Sequence, residues 1–226
     1  MSNANANAWG LLGVLEYFKH ERKTSDQVYG SEWFFLKDRL KEGISVLDVG
    51  CAQGGFASIL GEHIEDFSYT GIDINAHMID LARDNHKQAE FHLVEEGDMS
   101  VLGDRTFDLV LLLGILHLHE RWRDTLTAAW NHTGGSLLAD LREVPGPTVE
   151  DKTASYFQMN FGGDDTADNV ILPYNLINAG EALAAVETIC ADASNLSHYG
   201  YRHPVSSSAV TPINNVMTNV YCMERS

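Results

Sequence analysis

The sequence predicts an α/β domain built on a mostly parallel sheet, and three observations predict it. Strand-like apolar runs alternate with helix-length segments from about residue 43 onward. The first run, Val46-Leu47-Asp48-Val49, passes straight into a turn of small residues, Gly50-Cys51-Ala52-Gln53-Gly54-Gly55, before a helix begins at about Phe56. Successive runs then end on an acid or a glycine: Asp48, Asp73, Asp98 and Gly114. In an open parallel sheet the carboxyl ends of the strands form the ligand crevice, so these four positions are expected to face one site.

The elements follow in chain order. Residues 1–8 are low in complexity and lack a basic leader; they are read as a disordered end or a remnant of expression and left out of the fold. Trp9 to His20 has helical apolar spacing through Leu11, Leu12, Leu15 and Phe18. Ser31 is expected to cap a second helix that runs to about Lys41. After the glycine turn, Ala57 to His63 reads as helix and Phe67 to Ile74 as a second strand. Asp73 stands about 20 residues beyond the turn, where a carboxylate meets the ribose hydroxyls of an adenosine. Ala76 to His86 is helix, Phe91 to Val94 a third strand leading into Glu95-Glu96-Gly97-Asp98-Met99, and Phe107 to Leu113 a fourth. Glu120 to Asn131 reads as helix and Ser136 to Leu141 as the fifth strand. Pro145-Gly146-Pro147 then breaks the alternation until Leu176 to Cys190 resumes it as helix. Leu196 to Pro204 and Asn215 to Met223, joined by a loop with Ser206-Ser207-Ser208 and Pro212, suit an antiparallel pair.

Composition narrows the partners. The formal net charge of the 226 residues is -17, with no basic run, which excludes reliance on phosphate contacts and hence a nucleic-acid partner. A hydrophobic fraction of 44% is ordinary for a globular domain, and the longest apolar run, Leu109 to Leu116, is too short to span a bilayer. Three scattered cysteines, Cys51, Cys190 and Cys222, fit a reducing compartment, with the cytoplasm as the expected location.

The ordered series resembles the class I S-adenosylmethionine-dependent methyltransferases of small molecules. Val46-Leu47-Asp48-Val49-Gly50-Cys51-Ala52-Gln53-Gly54 is similar to the family's first motif and Gly71-Ile72-Asp73-Ile74 to its second. Gly97-Asp98-Met99 is similar to its adenine-contacting turn and Phe107-Asp108-Leu109-Val110 to its fourth strand. The resemblance covers about residues 43–140 and implies a Rossmann-like fold: a seven-stranded, mostly parallel sheet with one antiparallel C-terminal strand and helices on both faces. It implies S-adenosyl-L-methionine as cofactor, with S-adenosyl-L-homocysteine as product. Asp48 and the Gly50, Cys51, Ala52 and Gly54 backbone would hold the methionine part. Asp73, with Ile74 beside it, would hold the ribose, Asp98 would accept from the adenine amino group, and Met99, Leu113 and Gly114 would line the pocket. The family usually has glycine at the position of Ala52. On this basis 9–42 is an N-terminal helical cap, 43–144 the cofactor-binding core, 145–175 an insertion that could close as a substrate lid, and 176–226 the C-terminal helix and strands of a single domain.

A nicotinamide dehydrogenase is the remote competitor. Its Gly-x-Gly-x-x-Gly turn would align with Gly50-x-Ala52-x-x-Gly55, lacking the middle glycine, and the Asp48 carboxylate would repel a diphosphate. The chemistry expected is displacement at a sulfonium methyl, in which alignment does most of the work and a hydroxyl acceptor needs its proton removed. His117, after the fourth strand, is the candidate general base, with packing or helix capping as its structural alternative. His117-x-His119-Glu120 offers no third ligand and no metal is expected. Tyr29 and Trp33 from the cap, and Tyr156 and Phe157 from the insertion, are the candidate acceptor contacts. The acceptor is expected to be a small molecule, most plausibly the hydroxyl of a sugar or secondary metabolite. The alternative is a non-catalytic sensor or scaffold that binds the cofactor without turning it over.

Overall fold

The structure, a computed structural model, describes Ala6, Trp9 and residues 11–20, 22–158 and 171–226. The elements are α1 (Leu12–His20), α2 (Gly30–Leu36), β1 (Ile44–Val49), α3 (Gly55–Gly61), β2 (Phe67–Asp73), α4 (Ala76–Asn85), β3 (Glu90–Leu93) and β4 (Phe107–Leu112). There follow α5 (Trp122–Asn131), β5 (Thr133–Val144), β6 (Tyr156–Gln158), β7 (Ile171–Pro173), β8 (Ile177–Asn178), α6 (Ala179–Ile189), β9 (Asn195–Pro204), β10 (Ala209–Val210) and β11 (Asn215–Glu224).

The main sheet runs β3-β2-β1-β4-β5-β11-β9, with the short β8 added beside β5. β1 to β5 are parallel, and β11 enters antiparallel between β5 and β9. The strand order reverses at β1 and β4, so the crevice opens where Val49 and Leu112 end.

Strand alternation assigns the two faces. Val46, Leu109 and Leu111 pack with Phe35, Leu36, Ile59 and Leu60 on one side. Leu47, Val110 and Leu112 pack with Leu126, Trp130 and Val186 on the other. All four of Leu109 to Leu112 are fully buried, each contributing about 1.5–3 kcal/mol of apolar burial. A third cluster lies over the strand ends: Val14, Met78, Leu118, Leu172, Tyr174 and Leu176, with Trp9, Phe18 and Phe157 against it.

Four local expectations are corrected. Ser31 lies inside α2, fully buried; the Glu32 carboxylate instead accepts the Tyr29 N–H (3.3 Å) at the helix start. The second helix stops at Leu36 and continues only as a single tight turn, Lys37–Arg39. Leu176 to Cys190 is not all helix: β8 comes first, and the Asn178 side chain starts α6 by accepting the Gly180 and Glu181 N–H groups. The described parts of 145–175 are not bare loop either, because β6 pairs with β7 and β10 in a small antiparallel sheet. Phe161, Gly162, Gly163, Asp164 and Asp165 lie outside the described residues, as does 1–8 except Ala6. Ala6 is buried, and its carbonyl accepts from Asn75 Nδ2 at 2.7 Å.

Candidate functional site

A cavity of about 770 Å3, including its open mouth, lies at the carboxyl ends of β1 to β4. Each strand reaches it through the turn that follows. β1 delivers Gly50 and Ala52, β2 delivers Asp73 and Ile74, the loop after β3 delivers Asp98 and Met99, and β4 delivers Leu113 and Gly114. A second chamber of about 360 Å3 is lined by Asp48 and Cys51 and shares Gly50, Ala52 and Leu113 with the first. Gly54 lines neither chamber. It caps α3 at φ +81°, and a Cβ there would meet His86 and Phe91, so its smallness serves packing behind the turn.

Asp73 organises the turn as well as facing the cavity. Its Oδ2 accepts the Ala52 N–H at 2.9 Å and its Oδ1 the Asn75 N–H at 2.8 Å. Burial pushes its pKa up, opposed by these backbone donors. Asp48 is buried in β1, and the Tyr69 hydroxyl of β2 donates to its Oδ2. Desolvation raises the Asp48 pKa to about 7, against the lowering effect of the Tyr69 bond. Asp98 differs: it is exposed and accepts the Ser100 N–H at 2.8 Å, which lowers its pKa.

The β4 turn is fixed from β5. Asp140 Oδ1 accepts the Gly114 N–H at 2.5 Å, and Arg142 donates to Asp140 Oδ2. His117 follows in a single turn, Leu116–Leu118, but lines neither chamber. Its ring stands edge-on to Tyr174 (5.3 Å, 79°), and its buried Nδ1 has no hydrogen-bond partner among the described residues. Burial, with Arg142, His119 and Arg22 nearby, holds its pKa well below the ordinary value, so the ring is neutral. His119 does line the cavity, with Nδ1 3.2 Å from Thr125 Oγ1.

The candidate acceptor contacts divide. Tyr29 is half exposed and lines neither chamber, but the Arg22 guanidinium, which lines both, lies over its ring at 5.3 Å. Trp33 packs on His63 (5.0 Å), just past the end of α3, and lines neither chamber. Phe157 stacks on Tyr174 (6.2 Å, 17°), and Tyr156 pairs in register with Pro173 and Val210; neither lines a chamber. Among the described residues no group of three or more His, Cys, Asp or Glu could hold a metal ion, and no helix is long and apolar enough to cross a membrane.

The sequence predicted an N-terminal cap but not the residues it contributes to the wall. Trp9, Phe18 and Arg22 line the large cavity, and Phe18 and Arg22 also line the smaller one. Phe18 carried a helical-periodicity signal that said only that it would be buried. Arg22 carried none. Ile115, Leu118 and Val94, missed also, add apolar walls suited to a flat heterocycle.

Residues 47–135 match a family model described as a methyltransferase domain. A fatty-acid O-methyltransferase of Mycolicibacterium smegmatis is 40% identical over 88 residues, 38% of this chain and 32% of that protein. A phthiotriol/phenolphthiotriol dimycocerosates methyltransferase of Mycobacterium tuberculosis is 36% identical over 83 residues, 36% of this chain and 30% of that protein. The chain thus spans about a third of the length of these curated relatives. Among solved structures, magnesium protoporphyrin IX methyltransferase from Synechocystis PCC 6803 with bound S-adenosylmethionine superposes with a TM-score of 0.58 at 12% identity, covering 100% of this chain and 98% of that one. The N-terminal domain of EvdMO1 with bound S-adenosylhomocysteine gives 0.60 at 12% identity, covering 86% and 80%. The domain match begins in β1 and ends in the first residues of β5, so it holds the glycine turn, Asp73 and Asp98, and the fold of the solved methyltransferases is shared along the chain.

Proposed function

We propose that this protein binds S-adenosylmethionine at the carboxyl ends of β1 to β4 and transfers its methyl group to an oxygen of a small-molecule acceptor. The carrying observation is a pair of chambers that share Gly50, Ala52 and Leu113 as lining and between them are lined by three strand-end acids, each of which would meet a donor of the cofactor. Asp98 lies by the apolar walls of Val94, Met99 and Leu118, Asp73 at the middle and Asp48 in the smaller chamber. Opposite charge favours a cofactor whose methionine end bears ammonium and sulfonium, and the same Asp48 disfavours a dinucleotide diphosphate. When bound, the cofactor supplies an electrophilic methyl group on sulfur.

The chain's own residues then have to orient the reactants and exclude water. Asp73 orients the ribose while holding the Ala52 turn, and Asp140 holds the Gly114 turn. Phe18 and Trp9 cover the cavity from the N-terminal side. The acceptor reading is a hydroxyl of a sugar or secondary metabolite. The fatty-acid O-methyltransferase name of one relative extends this to the oxygen of an amphiphilic acceptor. His117, neutral in its buried place, is able to take up a proton; its position behind the cavity wall favours a role in holding Tyr174.

Calorimetric titration tests the reading. S-adenosylmethionine and S-adenosylhomocysteine are expected to bind in the micromolar range and NAD to give no heat. Asp73→Ala should weaken both sulfur ligands by about 10- to 100-fold, the value of hydrogen bonds to a charged group. Absence of binding by either sulfur ligand, or binding of NAD, refutes the assignment. Release of S-adenosylhomocysteine when acceptors are supplied separates an enzyme from a cofactor-binding sensor.

A further inference from the structure

We propose that Arg22 binds the carboxylate of the cofactor's methionine end, an inference that rests on the cofactor reading above. The smaller chamber is lined by Arg22 and Asp48 as its charged residues among those described, one cation and one anion. A methionine end is a zwitterion, with one ammonium and one carboxylate, and the chamber matches it charge for charge. Asp48 serves the ammonium, and Arg22 is the lining residue that can serve the carboxylate.

Several independent features aim this guanidinium. Arg22 has φ +57°, a left-handed conformation that a non-glycine residue adopts only when its surroundings impose it. Its carbonyl occupies the space that a Cβ on Gly55 would fill, so the first residue of α3 has to be glycine for the Arg22 backbone to dock. At the other end of the side chain, a Cβ on Gly114 would come within 3.1 Å of Nη1. The guanidinium lies over the rings of Tyr29 (5.3 Å) and Phe56 (5.5 Å). Buried Glu32 accepts from Nη2 and is its hydrogen-bond partner among the described residues. A guanidinium has five N–H donors, so others are left for a ligand. Gly55 and Gly114, on turns that build the site, thus both leave room for one arginine from the N-terminal segment.

The test uses three ligands that share the adenosine part. S-adenosylhomocysteine carries both charges, its decarboxylated analogue S-adenosyl-3-thiopropylamine keeps only the amine, and 5′-methylthioadenosine has neither. In wild type, S-adenosylhomocysteine should bind about 10- to 100-fold tighter than the decarboxylated analogue. In Arg22→Met its affinity should fall to that of the analogue, while the analogue and 5′-methylthioadenosine bind as before. Arg22→Lys, which keeps the charge but loses the fork, should discriminate to an intermediate degree. Equal weakening of S-adenosylhomocysteine and the analogue in Arg22→Met would overturn the proposal, since it marks a packing role. So would wild-type discrimination retained in both variants. Should Arg22→Met not fold, the ratio measured in Arg22→Lys decides alone. If wild type binds none of the three ligands, the cofactor reading itself fails, a result distinct from loss of carboxylate discrimination.

Discussion

Asp48 is a carboxylate placed where water does not solvate it, with Tyr69 Oη as its hydrogen-bond donor and Arg22, Asp73 and Glu32 as the charges acting on it. Its pKa rises to about 7 in the folded protein, above the ~3.9 of an unfolded chain. A raised carboxylate pKa means that the folded state holds the proton longer, so stability from this group is present below pH ~4 and is lost as pH rises through 7. The expected outcome is that Asp48→Asn removes this slope. The variant should be more stable than wild type by on the order of 3 kcal/mol at pH 8 and nearly equal at pH 4, as read from denaturant melts at both pH values. Cofactor binding should show the opposite face of the same group. An ammonium against Asp48 lowers its pKa and expels the proton, so affinity should rise by up to ~10-fold from pH 6 to pH 7.5 in wild type and stay flat in Asp48→Asn. The place of Asp48 at the crevice was legible in the sequence, because strand-end acids converge on one crevice in a sheet of this kind. Arg22 was not legible, because its place depends on a left-handed backbone and on the absence of two Cβ atoms far along the chain.

The turn between β1 and α3 shows how an element tolerates a misfit residue. Ala52 has φ +47°, the left-handed region in which a Cβ costs about 1–2 kcal/mol, which is the physical reason for the glycine usual at this point in the methyltransferases that the sequence resembles. The chain offsets that cost with the bond from the Ala52 N–H to Asp73, and places the alanine methyl where Trp9 and Phe18 pack over the strand ends. Ala52→Gly should therefore relieve strain at the expense of that methyl's contacts and of a more flexible unfolded chain, for a net gain of about 0.5–1 kcal/mol by thermal or denaturant melt. Loss of stability would show that the methyl contacts outweigh the strain. The same balance explains which elements could be read from sequence. β1, β2 and β4 are six or seven residues long and buried over most of their length, so their apolar runs stand out. β6, β7, β8 and β10 are two or three residues long, below the length at which alternation carries information, and they exist because Leu172, Tyr174 and Leu176 are buried over the crevice.

At the scale of the whole molecule, the site is a junction of sequence-distant parts. Asn75 donates to the carbonyl of Ala6, Gln53 donates to the carbonyl of Leu15 at 2.8 Å, and Arg22 is seated on Gly55 and Gly114. These contacts tie the N-terminal segment to the ends of β1, β2 and β4, while Asp140 ties β4 to β5. A ligand filling the crevice therefore touches the parts that must come apart when the domain unfolds, and its binding energy should add to global stability. At a free concentration of about 100 times Kd, a ligand that binds only the folded state adds ~2.7 kcal/mol. For a chain of this size each kcal/mol is worth about 2–4 °C, so S-adenosylhomocysteine should raise the melting temperature by roughly 5–11 °C in a single transition. NAD should leave it unchanged. If the N-terminal segment is only loosely attached, the melt will instead split, with an early ligand-sensitive step and a later step that the ligand does not move. A single shifted transition requires that the segment bearing Arg22 folds as one unit with the sheet, and the seating of Arg22 on Gly55 and Gly114, with the Gln53 and Asn75 bonds to that segment, is the structural reason to expect it.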